Sequence, residues 1–435
     1  MNRRISLLVV LLAVGAYGRA RAQNTAPTPL TLKDAEALAL KNHPQVLGAQ
    51  ATVMEYNEHV VEERSAYFPT LDYDLTGTGG NPQGRIGAGY LAASRLFDRL
   101  GTGVSLSQLI TDSGRTPNLV ASSRLQAQAS QQTYQATRYD ILLAVNQAYF
   151  AALRTQALVK VAQETVAARQ ILSDQVTELA KNKLRSDVDV AFADVDLSEA
   201  KLLLLRSQDQ VRAAFAELTR ALGAQQEMNY KLADEPLPPS PPLDSEPLIA
   251  QAFANRPDLL SLQLQYQSAR HFERAERDLS FPTVSLVGTA GAIPEINQIL
   301  SAKIPNNYEA AALNIEVPIF NGRLFTARRE AARYHAEAEG QRTRDLQERI
   351  ARDVRVAWSS SRTAYQNIDV TADLLREASL ALELAQGRYN LGLSSIVELT
   401  QAQLNLTQAE IENLNAKYDY QNTYAMLQYT MGLLR

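Results

Sequence analysis

The side chains best suited to chemistry are few and scattered along the chain. The four histidines, at positions 43, 59, 271 and 335, include no pair at a metal-binding spacing with a third ligand nearby. The sequence contains no Gly-Lys-Ser/Thr phosphate-binding loop and no Gly-x-Ser-x-Gly nucleophile elbow. We therefore expect no catalytic residues, no metal site, no cofactor and no enzymatic activity.

Two Ser-x-x-acid motifs predict a defined structural role. Ser186 precedes Asp189 by three residues, and Ser395 precedes Glu398 by the same spacing. A serine and an acid at this spacing are typical of a helix N-terminus, where their oxygens accept hydrogen bonds from free backbone N–H groups. Each motif directly follows a short turn, so each predicts a helix that returns after a helical hairpin.

The composition is that of an ordered globular protein. Of the 435 residues, 46% are hydrophobic and 21% are charged, and none is a cysteine. The missing cysteine excludes disulfides, thiolate metal sites and a lipidated N-terminal cysteine. The formal net charge of −4 argues against nucleic acid as a partner, because phosphate binding needs a concentrated basic surface.

The N-terminus has the pattern of an export signal. Arg3 and Arg4 precede an apolar run over 5–16, and Ala20-Arg21-Ala22 supplies the small residues that a signal peptidase reads. We predict a signal peptide over 1–22 with cleavage before Gln23. Since no other segment resembles a membrane-spanning helix, the mature chain would have to enter a membrane as β-strands.

The chain carries the same landmarks twice. Asn42-His43-Pro44 recurs as Asn255-Arg256-Pro257, and Phe68-Pro69-Thr70 recurs as Phe281-Pro282-Thr283, both at an offset of 213 residues. Later matches keep a constant offset of 209. Two copies of one unit are therefore predicted, repeat 1 over 23–232 and repeat 2 over 248–435. The segment 233–247 between them holds six prolines and is predicted to be an extended linker.

Each copy is predicted to contain a helix, two strands, a long helix and a returning helix. Alternation of apolar and polar residues predicts the strands over 69–78, 101–110, 282–290 and 310–319. Pro117 suits the first turn of a helix, and no proline follows it until Pro236. Together with the 3,4 spacing of apolar residues, this predicts long helices over 117–180 and 323–389, and returning helices over 186–222 and 395–431. At 1.5 Å per residue a long helix spans about 95 Å, so it needs lateral partners.

The apolar residues of the four strands are predicted to face lipid, with the polar residues facing a water-filled lumen. They are Leu71, Tyr73, Leu75, Val104, Leu106, Val284, Leu286, Leu313, Ile315 and Val317. Four strands cannot close a barrel, so several chains must contribute. Three chains supply twelve strands, although the strand count alone also permits two or four chains. In the alternative interpretation the chain is a secreted trimeric coiled-coil structural or adaptor protein without a membrane barrel.

The segment Arg388-Tyr389-Asn390-Leu391-Gly392-Leu393-Ser394-Ser395-Ile396-Val397-Glu398-Leu399, with the duplicated landmarks, resembles the TolC-type outer-membrane efflux proteins. The resemblance implies an α+β membrane protein, a homotrimer whose twelve-stranded β-barrel lies in outer-membrane lipid and continues as an α-helical periplasmic tunnel. It also implies an exit duct for efflux or type I secretion, passive and fed by a periplasmic adaptor and an inner-membrane transporter.

The same resemblance implies two functional regions at the helical tips. The periplasmic entrance would be lined by Glu398 and Gln401, with Asp189 at the matching position of repeat 1. Gln401 stands where well-known family members carry a second acid, and helix capping is the alternative role for Glu398. The residues expected to dock the adaptor are Lys183, Leu184, Arg185, Arg388, Gly392, Leu393 and Ser394.

Overall fold

The computed structural model describes residues 29–79, 99–224, 231–296 and 307–434. The predicted signal peptide lies outside these residues. Helices predominate in this part of the chain. Two pairs of strands, one between the second and third helices and one between the sixth and seventh, form one four-stranded sheet. The strands are β1 (Thr70–Thr78), β2 (Arg99–Thr111), β3 (Thr283–Ile296) and β4 (Asn307–Glu316).

The helices form two series of matching lengths. The first series contains 11, 22, 67 and 35 residues, and the second contains 10, 22, 67 and 35. In the first series they are α1 (Leu32–Asn42), α2 (Pro44–Ser65), α3 (Arg115–Lys181) and α4 (Asp187–Ala221). In the second they are α5 (Glu246–Asn255), α6 (Pro257–Asp278), α7 (Leu324–Asn390) and α8 (Ile396–Thr430).

Each proline landmark is a contact point for the end of a returning helix. Pro44 and Pro257 occupy the first turns of α2 and α6, because proline cannot continue the preceding helix. Gly223 lies against the helix break between α1 and α2, and a Cβ added at Gly223 would come within 2.8 Å of the Cα of His43. Gly432 lies in the same way against the helix break between α5 and α6. Both glycines have positive φ, +68° for Gly223 and +70° for Gly432.

The helices pack side by side as one layer, four helices wide. Toward the sheet, α2 packs on α3, α3 on α6 and α6 on α7. Toward the hairpin tips α4 packs on α3, α3 on α8 and α8 on α7. Buried alanines along α3 and α7 allow this close approach. None of the helices in the described ranges combines the length and the apolar character that crossing a bilayer requires.

The proline-rich segment 233–247 forms no helix or strand before α5 begins at Glu246, and hydrogen bonds attach it to the helices. The Tyr149 hydroxyl donates to the carbonyl of Ala233 at 2.7 Å, and Trp358 Nε1 donates to that of Pro242 at 2.8 Å. Between these points the Gln421 amide donates to the carbonyl of Glu235 at 3.0 Å. The helical side chains thus hold the segment at three of its carbonyl oxygens.

The four strands form an antiparallel sheet in the order β1-β2-β3-β4, and the connection from β2 to β3 runs through four helices. Opposite residues of an antiparallel pair share a face, and Leu71 pairs with Leu106, Tyr73 with Val104. The β3–β4 register pairs Val284 with Ile315 and Leu286 with Leu313. Through the β2–β3 pairing of Gln108 with Leu286 all these apolar residues, together with Leu75, lie on one face.

Two expectations about the strands need correction. Val317 lies beyond β4, which ends at Glu316, so Val317 is not a strand residue. Strand β3 extends to Ile296, past the predicted limit of 290, because a run rich in glycine and alanine loses the apolar–polar alternation while keeping its backbone pairing. Tyr308 of β4 lies over Gly103 and Gly291, where a Cβ would collide with its hydroxyl.

Candidate functional site: the paired helical tips

The two hairpin tips share one backbone geometry. Lys183 and Gly392 both adopt the left-handed conformation, with φ of +58° and +73°. In each tip the next residue's N–H bonds back to a carbonyl five residues earlier, at 2.9 Å for Leu184 and 2.8 Å for Leu393. This is the Schellman arrangement, which satisfies carbonyls left free at a helix end. A glycine adopts it without strain, whereas Lys183 adopts it against the preference of a residue with a Cβ.

The two tips differ in how the returning helix begins. At the first tip the Ser186 hydroxyl accepts from the N–H of Asp189, and the Asp189 carboxylate accepts from the N–H of Ser186, both at 3.2 Å. The predicted capping box is therefore confirmed there. At the second tip the prediction was wrong, because the Ser395 side chain makes no capping hydrogen bond.

At the second tip the acid makes an ion pair instead. Glu398 Oε1 lies 3.0 Å from Nε of Arg388, at the end of α7. Glutamate is one methylene longer than aspartate, so its carboxylate extends past the backbone to the arginine. Both side chains are about half exposed, at 46% and 57%, so the pair is hydrated and screened by salt.

Arg185 and Tyr389 join the two tips. The Arg185 guanidinium lies 4.2 Å from the centroid of the Tyr389 ring and donates to the Tyr389 carbonyl at 2.8 Å. Tyr389 is 1% exposed and packs in an apolar cluster with Val176, Ala193 and Leu399. Burial raises the pKa of Tyr389, against a smaller opposing effect of Arg185, so the phenol is neutral at physiological pH.

The predicted docking residues fall into two groups. Lys183, Leu184, Gly392 and Leu393 are exposed at the extreme ends of the hairpins. By contrast, Arg185 contacts Tyr389, Arg388 pairs with Glu398, and Ser394 is half-buried. Gln401 is exposed and donates to Asn405 at 2.9 Å. The structure thus joins Arg388 to Glu398, whereas Gln401 bonds along its own helix.

Above the tips, a buried arginine of α3 lies in the field of acids from two other helices, α4 and α8. Arg169 of α3 is 6% exposed, and Asp196 of α4 and Glu410 of α8 both act on its charge. Burial lowers the pKa of Arg169, and burial likewise raises the pKa of Asp196 and of Glu410. The cluster therefore links the two hairpins through charges that are costly to desolvate.

Apolar rows on the outer helices were missed by the sequence reasoning. On α4 and α7, at opposite edges of the helical layer, large apolar side chains are 44–65% exposed. They are Val188, Phe192, Val195, Leu202 and Leu205 on α4, with Val356, Val370, Leu374 and Leu384 on α7. On α4 their 3, 4 and 7 spacing was the available signal, and it indicates a helical partner outside the chain. On α7 the residues are more widely spaced, and the sequence gives no comparable signal.

Comparison with known proteins identifies the class. The family model described as "Outer membrane efflux protein" matches residues 37–224 and 248–433. The chain therefore belongs to the outer membrane efflux protein family, a family of transport conduits and not of enzymes. Its function is that of an outer-membrane exit channel, and the alternative of a secreted structural protein is not supported.

Individual relatives are distant in sequence but similar along most of their length. The chain is 25% identical over 415 residues to the outer membrane efflux protein BepC of Brucella suis, covering 92% of this chain and 85% of BepC. It is 25% identical over 433 residues to the alkaline protease secretion protein AprF of Pseudomonas aeruginosa, covering 93% and 85%. The CmeC outer membrane channel of Campylobacter jejuni has the same fold, with a TM-score of 0.78, 16% identity and coverage of 98% and 94%.

Proposed function

We propose that three copies of the chain close into a ring, with a twelve-stranded barrel in the outer membrane and a helical tunnel in the periplasm. The observation that carries this proposal is that the chain has two open lateral edges. Within the described residues, β1 pairs only with β2, and β4 pairs only with β3. An unpaired strand edge leaves backbone N–H and C=O groups unsatisfied, which is costly in lipid.

The two faces of the sheet support a membrane barrel. One face carries Leu71, Tyr73, Leu313 and Ile315, all between 59% and 69% exposed in the single chain. The opposite face carries polar residues, among them Thr70, Asp72, Asp74, Ser105 and Asn314. A transmembrane barrel with a wet lumen needs this distribution, apolar toward lipid and polar toward the pore.

The helical edges support the same closure. The apolar rows of α4 and α7 lie at opposite edges of the layer, so α4 of one copy can pack against α7 of the next. The contact joins two different surfaces, and such head-to-tail contacts generate rings. Three layers of four helices then form a twelve-helix tunnel.

We further propose that each chain is an internal duplication, exported with a signal peptide over 1–22 that is cleaved off. The two helical series match in length, and the family model matches the chain in two segments. Without a cysteine the mature N-terminus carries no thioether-linked lipid. Repeat 1 would cover 23–232, the linker 233–247 and repeat 2 248–435.

The channel would be the passive last component of an efflux or secretion system. The names of BepC and AprF associate the first with efflux and the second with protease secretion. A periplasmic adaptor would dock on Lys183, Leu184, Gly392 and Leu393, and an inner-membrane transporter would supply the energy. Three Arg388–Glu398 pairs would surround the periplasmic entrance.

The test is to locate the mature protein and measure its native mass. Cell fractionation should place it in the outer membrane, and native mass spectrometry in mild detergent should give three times the mass of one processed chain. A protein that stays monomeric, or that is recovered from the periplasm without detergent, would contradict the trimeric barrel.

A further inference from the structure

The segment between β4 and α7 exposes large apolar side chains directly beside the proposed membrane barrel. Ile319 is 95% exposed and Phe320 is 89% exposed. They follow β4, whose Leu313 and Ile315 belong to the apolar face of the sheet. The apolar surface of the barrel therefore continues past the last strand toward the helices.

Three arginines come next in the chain. Arg323, Arg328 and Arg329 are exposed, and no carboxylate of the described residues lies within 4 Å of their nitrogens. Farther along α7 most arginines are paired, as Arg333 is with Glu330 and Arg349 with Asp345. Arg344 and Arg362 have no carboxylate of the described residues within 4 Å, but each stands singly. The end of the helix nearest the sheet differs because three unpaired arginines lie there within seven residues.

The fold does not require these arginines. Helix α3 has the same length as α7, and its fifth and sixth residues are Leu119 and Val120 where α7 has Arg328 and Arg329. The acid nearest in sequence before them, Glu316, pairs with Thr283 and therefore belongs to the other face of the sheet, opposite to that of Ile315. A positive cluster of this kind points to an anionic partner outside the chain.

We propose that Arg323, Arg328 and Arg329 bind the phosphate groups of anionic phospholipids at the periplasmic face of the outer membrane. The proposal rests on the proposed function, in which the sheet crosses that membrane. Arg329 is five residues into α7, about 8 Å along the axis at 1.5 Å per residue, so the guanidinium is within reach of lipid headgroups. Arginine binds phosphate with two parallel hydrogen bonds.

The first experiment measures lipid selection by the full-length protein. Detergent-purified protein is equilibrated with an equimolar mixture of phosphatidylglycerol and phosphatidylcholine, and the lipid that remains bound is counted by native mass spectrometry. The triple variant Arg323→Gln, Arg328→Gln, Arg329→Gln should lose its enrichment in phosphatidylglycerol, by about fivefold per arginine. The matched control, Arg344→Gln, Arg349→Gln, Arg352→Gln, removes the same charge from the same helix and should keep the enrichment.

An equal loss in both triple variants would overturn the proposal, because net charge alone would then explain the selection. Dissociation of the trimer in the first variant with unchanged lipid selection would overturn it as well, since the arginines would then contact a neighbouring copy. Failure of the wild-type protein to insert into vesicles would contradict the barrel itself. Insertion without any preference for phosphatidylglycerol would contradict only the lipid site.

A second experiment tests the position of the apolar pair independently. The chain has one tryptophan, Trp358, about 50 Å along α7 from its start. In vesicles of dibrominated phosphatidylcholine, a Phe320→Trp variant should lose the share of its fluorescence that the added tryptophan contributes, whereas the wild-type protein, with Trp358 alone, should lose little. Equal quenching in the two proteins would overturn the placement of Phe320 in the bilayer interface.

Discussion

At the scale of single residues, conformation and local charge decide what each tip and break can tolerate. Gly432 and Gly392 both have positive φ, but their surroundings differ. An added Cβ at Gly432 would lie 2.9 Å from the carbonyl carbon of Asn255, whereas Gly392 has no atom within 4 Å of that position. The strain at Gly392 is therefore conformational only, and at Gly432 a steric conflict is added to it.

We predict that Gly432→Ala lowers the stability of the protein by about 2–3 kcal/mol, since left-handed strain and overpacking add together. Gly392→Ala, the matched control, should cost about 1 kcal/mol. Chemical unfolding in detergent, followed by circular dichroism, measures both. Equal losses in the two variants would show that the contact with the Asn255 break contributes nothing.

If the Arg388–Glu398 pair lies at the proposed periplasmic entrance, substitution of Arg388 and substitution of Glu398 should have opposite effects on ion selectivity. Arg388→Gln leaves Glu398 uncompensated and should raise the preference for cations, while Glu398→Gln should lower it. Reversal potentials in planar bilayers under a salt gradient measure this preference. Gln401→Ala is the neutral control. Identical selectivity in all variants would show that Glu398 does not line the entrance.

The partly buried acids near Arg169 predict that a neutral substitution raises the stability of the protein in a pH-dependent way. Burial raises the pKa of Glu410, so its charged form destabilises the folded state at neutral pH, and the penalty disappears as the pH falls through that pKa. Glu410→Gln should stabilise the protein by up to about 0.5 kcal/mol near neutral pH and by less near about pH 4. Thermal unfolding at both pH values measures the difference, and a gain that grows on acidification would contradict the assignment.

At the scale of elements, the pairing between strands decides which side chains share a face of the sheet. Leu313 and Asn314 are neighbours on β4, yet they lie on opposite faces because consecutive strand residues alternate. Leu313 is 59% exposed on the apolar face. The same substitution at these two positions therefore separates the proposed lipid face from the proposed lumen.

Leu313→Arg should impair membrane assembly by about 2–4 kcal/mol, the cost of a basic residue on the lipid face near the bilayer midplane. Asn314→Arg places the same charge in the lumen and should assemble almost normally. The measured quantity is the fraction of each variant that is recovered as trimer from the outer membrane. Normal assembly of Leu313→Arg would reverse the assignment of the two faces.

At the scale of the whole molecule, the described part of a single chain leaves both of its lateral edges uncovered. Val195 is 56% exposed on α4, in the row proposed to meet α7 of the next copy. Exposed apolar rows of this length are typical of association sites. The ring is therefore expected to depend on α4 as much as on the strands.

We predict that Val195→Glu shifts the trimer toward single chains, because the carboxylate would be buried in the contact between copies. Gln208→Glu is the control, since Gln208 is exposed on α4 and lies about 140° around the helix from Val195. Native mass spectrometry in detergent over a dilution series measures the shift. Equal trimer fractions for both variants would place the contact elsewhere.

The sequence by itself determined the order and approximate limits of the elements, because these depend on neighbouring residues. Proline at 44 and 257 breaks a helix wherever it stands, and alternation around Leu71 and Leu313 predicts strands without any knowledge of their partners. The family resemblance likewise depended on short contiguous segments, chiefly the one at the second tip and also the duplicated proline landmarks. Even the first capping box is local, since Ser186 and Asp189 lie within one helical turn.

Only the tertiary structure decided which distant groups meet. The pairing of β2 with β3 joins strands more than 170 residues apart, and Arg185 contacts Tyr389 across 204 residues. The Glu398 side chain was expected to cap the start of α8, but it pairs with Arg388 instead. The pair forms because the hairpin brings the end of α7 beside the start of α8. Such contacts depend on the summed geometry of long helices, which local propensity does not encode.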